Sequence, residues 1–369
     1  MVSNRMKLAM GAAGLVGLCA TLAMAQPPAA PPAGAPGAAP GAPGAAPARP
    51  RGPGLVMPDA PGGVKPTPDS PGMRQGSTNG VPNLVPKYED VWATLDALPD
   101  ALAAKPKKDR RVLVYSKPGG FVHSSIPLTA WTIKLMGEKN GGWQTDISFA
   151  QKDITAANLA KYDVLVLNNT TGAFLDDKDD AAGTEARKKA LLDFVRSGHG
   201  LALFHAATDS YHTNANAPGG IKGTWPEWNK LAGGIFKWHW FYPQAIPVKL
   251  DDAKSPLNAG FNGKGFTVHE ELYTFTMDSF SRKNVHVLTS IDYPKMSAED
   301  KAKEDAATKR TDGDYAISWI HKEGQGRVYY SALGHSEHVL AMPAILKQWQ
   351  AGIQYAAGDL AADDSPSAK

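Results

Sequence analysis

Ten histidines are spread along this chain of 369 residues, and several come soon after runs of strand-like sequence. His123 follows residues 111–116 (RVLVYS), Asn168 and Asn169 follow 162–167 (YDVLVL), and His205 with Asp209 follows 201–204 (LALF). His335, with Glu337 and His338 close behind, follows 327–333. An imidazole serves as a ligand for a divalent metal or as a proton-transfer group near neutral pH, and a carboxylate can take either part. In open α/β sheets, ligands bind outside the carboxyl ends of the strands. One such histidine alone is best explained by a structural hydrogen bond, but four strand ends with this chemistry predict a shared site.

Familiar catalytic signatures are missing. The chain has no G-x-S-x-G elbow, no H-E-x-x-H pair and no phosphate-binding loop, and Gly324-Gln325-Gly326 lacks the third glycine of a dinucleotide turn. No nucleotide cofactor is expected. In His269-Glu270-Glu271 no second histidine stands where a metalloprotease helix needs one, so the run reads as the opening of a strand ending at Phe275. Adjacent side chains on a strand point to opposite faces, so only one of the two glutamates can face the site. Parity with Tyr273 favours Glu271.

The elements that must position these groups alternate in type. Strands at 111–116, 144–149, 162–167 and 201–204 are interleaved with helical patterns at 128–138 and 185–196. That alternation argues for βαβ units and a flavodoxin-like, doubly wound, mainly parallel sheet. Beyond an aromatic-rich stretch at 225–241 the pattern changes to short alternating strands at 246–250, 272–275, 285–289, 315–320 and 328–331, closed by a helix over 343–357. The charged segment 295–310 is expected to be a solvated loop or helix.

Composition bounds the rest. Seventeen of the 29 prolines fall between Pro27 and Pro86, so residues 26–86 read as a disordered Pro/Ala/Gly tether, and 87–369 as one α/β domain. Residues 1–25 have a charged start (Arg5, Lys7), an apolar run and an Ala23-Met24-Ala25 cleavage site, the pattern of a secretory signal peptide. The mature protein is then expected in the periplasm or outside the cell, with no membrane attachment after cleavage. Residues 1–86 hold six basic side chains against two acidic ones, leaving the body at about −1 of the total +3. Such a body offers no footprint for nucleic acid. The single cysteine, Cys19, lies in the leader, so the mature chain has no disulfide, thiolate metal site or cysteine nucleophile.

Six ordered segments resemble the ThuA-like family, named for trehalose utilisation and related in fold to class I glutamine amidotransferases. They are Phe121-Val122-His123, the NLAKYDVLV run at 158–166, the segment 198–209 containing LALFHAATD, and Leu231-Ala232-Gly233-Gly234 with Phe236 and then His239. Glu270 to Tyr273 (EELY) and 324–335, ending in Gly334-His335, complete the set. In the amidotransferase relatives the turn after the fourth strand carries a cysteine nucleophile; here it carries His205, so glutamine hydrolysis is not expected.

The resemblance implies carbohydrate catabolism with a small sugar as partner, and two readings remain open. In the first, His123, His205, His239 and His335 converge with Glu271 and Asp209, as ligands of Zn²⁺ or a similar divalent metal or as acid/base groups. Asn168, Asn169, Trp238 and Tyr273 would then contact substrate. A 3-keto sugar has an acidified hydrogen at C2, so its removal permits elimination, hydration or isomerisation without a nucleophile. In the second reading the protein binds carbohydrate without turnover, through Trp225, Trp228, Trp238, Trp240 and Tyr242 stacked on sugar rings.

Overall fold

The structure, a computed structural model, describes residues 86–240, 244–304 and 309–367. The expected leader, all of the tether before Pro86, and Tyr242 lie outside the described residues. Strands follow in the order β1 (Arg111–Tyr115), β2 (Gln144–Ser148), β3 (Val164–Asn168), β4 (Gly200–Phe204), β5 (Phe236–His239), β6 (Ala245–Leu250), β7 (Phe266–His269), β8 (Tyr273–Phe275), β9 (His286–Ile291), β10 (Ala316–Glu323) and β11 (Gly326–Ser331). The helices are α1 (Tyr88–Ala97), α2 (Ile126–Glu138), α3 (Ala156–Leu159), α4 (Ala181–Arg196), α5 (Pro226–Ala232), α6 (Ala298–Ala302) and α7 (Pro343–Ala356).

Nine strands form one sheet in the order β2-β1-β3-β4-β11-β10-β9-β6-β7. The first five are parallel and the rest antiparallel. The parallel part is the flavodoxin-like order expected from the alternation, with β11 in the fifth place. Its central strands β3 and β4 are buried at every residue, which is what a sheet covered on both faces requires and why they read as unbroken apolar runs. Helix α7 lies against β4 and β11, and α2 against β2 and β3. Helix α4 starts four residues earlier than its apolar period suggests, because the Asp180 carboxylate caps it by accepting from the Gly183 N–H at 2.8 Å.

Two expectations need correction. The segment 295–310 is not wholly solvated: Glu304 and Arg310 are buried, the Arg310 guanidinium donating to the Phe275 carbonyl at 2.7 Å and the Tyr315 hydroxyl donating to Glu304 at 2.8 Å. His269-Glu270-Glu271 does not open a strand either. It ends β7 and crosses to β8, which pairs with β5 in a separate two-stranded ribbon. Among the described residues, no helix is long and apolar enough to cross a membrane.

Candidate functional site

Three of the strand-end histidines meet at the carboxyl edge of the parallel strands. His123 stands in the loop between β1 and α2, His205 opens the 3-10 turn His205–Thr208 directly after β4, and His335 lies in the turn after β11. Their ring centroids are 4.9 Å (His123–His205), 5.2 Å (His123–His335) and 5.4 Å (His205–His335) apart. Glu271 enters this triangle from the β7–β8 link. Its Oε2 is 3.0 Å from His335 Nδ1, 3.3 Å from His205 Nε2 and 3.9 Å from His123 Nε2, while Oε1 is 3.2 Å from His239 Nε2. One donor atom from each of His123, His205, Glu271 and His335 lies within 4.8 Å of the others, and all four side chains are buried. His239, the last residue of β5, stays partly exposed on the Oε1 side.

The chemistry of this donor set can be read from what the rings do elsewhere. His205 Nδ1 bonds the Ala332 carbonyl at 2.8 Å and must donate there, so a neutral ring turns the lone pair of Nε2 toward Glu271 Oε2. Two acceptors facing each other at that distance need a proton or a cation between them. His239 is arranged similarly, with Nδ1 on the Trp240 carbonyl at 3.2 Å and Nε2 toward Oε1. Burial pushes His123 down to about 3 against the pull of Glu271, and lowers His239 in the same way. Burial also opposes ionisation of Glu271, but the surrounding imidazoles of His123, His205 and His335 outweigh it and hold the carboxyl below the usual carboxylate range. Burial lowers His335, but Glu271, joined by Glu270 and Glu337, outweighs this and raises it above the ordinary imidazole value. Three buried imidazoles around one carboxylate form a donor set able to hold a divalent metal.

The backbone at His205 is unusual. Its φ is +44°, a left-handed conformation that side chains with a Cβ adopt rarely, and the turn throws the imidazole across the strand ends toward Ala332 and Glu271.

Other expected contacts fall elsewhere. Asn168 and Asn169 are fully buried; the Asn168 amide donates to the Ser116 hydroxyl at 3.0 Å and the Ile126 carbonyl at 2.9 Å, and Asn169 donates to Asn168 and to the Gly334 carbonyl. They tie loops together below the site. Asp209 is not in the four-residue cluster: its carboxylate takes His212 Nε2 at 2.7 Å, while His212 Nδ1 lies 2.7 Å from the Thr213 carbonyl. Tyr273 is buried with its ring 4.4 Å from that of His205. Trp225, Trp228 and Trp240 are buried in the core, which leaves Trp238 as the partly exposed tryptophan of that group. Glu337 sits behind the cluster, its carboxyl pushed up to about 8 by burial.

Two motif residues of the family resemblance to which the sequence assigned no site role, Phe121 and Phe236, also border the site, as does His212. Phe121, 41 % exposed, lies edge-on to His123 at 4.8 Å, and Phe236 packs against both His239 and Tyr273. His212 was visible three residues after Asp209, a spacing that lets the two side chains meet.

The ThuA family, described as trehalose utilisation, matches residues 111–356, so the chain belongs to that family. A solved ThuA-like protein from Bacteroides uniformis superposes with a TM-score of 0.50 at 20 % identity, covering 68 % of this chain and 93 % of its own. Another from Parabacteroides merdae gives 0.46 at 16 % identity, with 70 % and 95 % covered. At 20 % identity the likeness to the Bacteroides uniformis protein shows the α/β fold alone. No curated protein sequence matches the chain. Family membership links the protein to carbohydrate metabolism.

Proposed function

We propose that this protein is an exported enzyme of disaccharide or glycoside catabolism, acting on a sugar or its 3-keto form by proton transfer at a metal site. The observation that carries the reading is the buried cluster of His123, His205, Glu271 and His335, with donor atoms within 4.8 Å of one another. His123, His205, His335 and Glu271 would hold Zn²⁺ or a similar divalent ion, which when bound would supply a Lewis acid for a sugar carbonyl or hydroxyl. His239, outside that set of four, is partly exposed, and its Nε2 faces Glu271 Oε1 at 3.2 Å, so it is placed to exchange a proton with a ligand. Removal of the C2 hydrogen of a 3-keto sugar there gives an enediolate. That species either expels the C1 substituent, which leaves as its alcohol with a returned proton (elimination), or takes the proton back at C3 (isomerisation). Hydration is the elimination reversed with water, and none of these needs a covalent intermediate. The leader pattern in residues 1–25 makes export part of the proposal.

The test is metal analysis of the purified protein, followed by a screen of glycosides and their 3-keto derivatives. Expected are about one equivalent of metal per chain and turnover on one substrate class, with both lost in Glu271→Gln. Sugar binding that persists in Glu271→Gln, with no metal and no turnover in the parent protein, would instead establish a carbohydrate-binding protein.

A further inference from the structure

Glu270, beside the cluster carboxylate, is completely buried and points the other way. Its Oε1 accepts from the backbone N–H of Gly334 at 2.8 Å and from that of His335, and its Oε2 from the Ser336 N–H at 3.2 Å and the Ser336 hydroxyl. Three successive N–H groups converge because Gly334 has φ +126°, a value that L side chains rarely adopt. The result is an anion-binding concavity of backbone donors, filled by a side chain of the protein itself.

The turn that Glu270 fills is where the site is assembled. The Ala332 carbonyl receives His205 Nδ1 at 2.8 Å, and the Gly334 carbonyl receives the Ser125 hydroxyl at 2.6 Å and the Asn169 amide at 3.3 Å. Ser125 is two residues from His123. Residues 332–336 thus carry His335, set the tautomer of His205 and brace the loop of His123, while Glu270 anchors the turn from the side on which Glu271 enters.

We infer that Glu270 is a positioning residue for the metal centre: it holds the 334–336 turn so that His335 and Glu271 reach one ion together. The inference rests on the metal reading above and adds a role that parity on the sequence leaves blank. Partners that orient metal ligands from outside typically cost 10–100-fold in metal affinity when removed. A role in folding alone would lower stability and leave affinity untouched.

Zn²⁺ and Co²⁺ titrations of the full mature chain separate these cases, with the Co²⁺ visible spectrum reporting coordination geometry. Glu270→Gln places an NH₂ group among donors, and is expected to weaken both metals 10–100-fold and to change the Co²⁺ spectrum. Ser336→Ala removes one donor and keeps the carboxylate, so a smaller loss in the same direction is expected; this variant decides the matter if Glu270→Gln does not fold. Leu288→Ala, in the core at β9, should lower Tm with the parent's affinity and spectrum. Parent-like affinity and spectrum in Glu270→Gln, or in Ser336→Ala should the former not fold, overturn the positioning role while leaving the metal reading intact. A parent protein that takes up neither metal overturns both.

Discussion

The parallel and antiparallel parts of the sheet furnish the site in different ways. Parallel strands all end on one edge, so the loops that follow β1, β4 and β11 start side by side and carry His123, His205 and His335 to one place. Antiparallel strands alternate in direction and offer no common edge. That half reaches the site through a connection instead: the Glu270-Glu271 link between two separate sheets sends one carboxylate to the imidazoles and the other to the turn that carries His335. Topology sets the three histidine-bearing loops on one edge, whereas nothing in the sheet order brings the carboxylate there, which depends wholly on a loop conformation and on the hydrogen bonds that fix it.

The largest expected effect tests that division directly. His205→Ala removes an imidazole delivered by the parallel edge, and metal content should fall to background, a loss beyond the 10–100-fold of an outer partner. His239→Ala removes the partly exposed ring supplied by β5 and should leave most of the metal bound, because His239 Nε2 faces Oε1 of Glu271 while the other three imidazoles face Oε2. Inductively coupled plasma analysis of both variants checks this. Equal losses would mean that β5 contributes a ligand of the same rank. His205→Gly sharpens the point: at φ +44° glycine avoids a strain of about 1 kcal/mol that alanine keeps, so it should unfold at higher temperature than His205→Ala while binding no more metal.

The same division explains what could be read from the sequence. Strands β1, β3, β4 and β11 were legible because burial on both faces forces unbroken apolar runs, and the strand-end rule then pointed at three histidines. Glu271 was reached by parity along a strand, yet residues 270 and 271 lie in no strand; the two carboxylates diverge because a loop turns between them. Asn168 and Asn169 occupy strand ends too, but nothing in their residue type distinguishes a ligand contact from a tie between loops. Strand β7 is at the sheet edge with partly exposed residues, and β5 is four residues long and half-buried throughout, so neither shows a clear period. Charge misled at Arg310 and Glu304, where a polar sequence conceals buried, fully bonded groups.

A second prediction concerns acid stability in the antiparallel half. His321 on β10 is buried, and burial pushes its pKa down to about 4, with Glu323 and Asp364 only partly offsetting this. The folded ring is therefore neutral over a range where the unfolded chain, near 6.5, takes up a proton. Folding stability is unaffected above pH 6.5, declines as pH falls from 6.5 toward 4, and levels off below that. At pH 5 the cost is about 2 kcal/mol. Urea denaturation of His321→Gln at pH 7 and pH 5 should show a pH dependence smaller by about that amount. An unchanged dependence would place the acid lability in other groups, such as His338 behind the site.

The smallest effect asks whether the charged segment 295–310 belongs to the site or only to the antiparallel scaffold. The Arg310 guanidinium donates to the Phe275 carbonyl at the end of β8 at 2.7 Å and to Asp312 at 2.9 Å. Losing one partner of a fully buried ion pair costs several kcal/mol because a charge is stranded. Here the Asp312 side chain is 41 % exposed, so water can solvate it once Arg310 is gone. The remaining loss is chiefly the charge-assisted bond to Phe275, and Arg310→Met keeps much of the packing of the side-chain stem. Arg310→Met should therefore lower stability by about 1–2 kcal/mol. Strand β8 also begins two residues after Glu271, so the same variant tests how far a disturbance at its other end travels. If the hydrogen bonds that Glu270 accepts from the 334–336 turn fix the carboxylates, metal affinity in Arg310→Met should stay within threefold of the parent. A tenfold loss would mean that β8, rather than the turn, sets the position of Glu271.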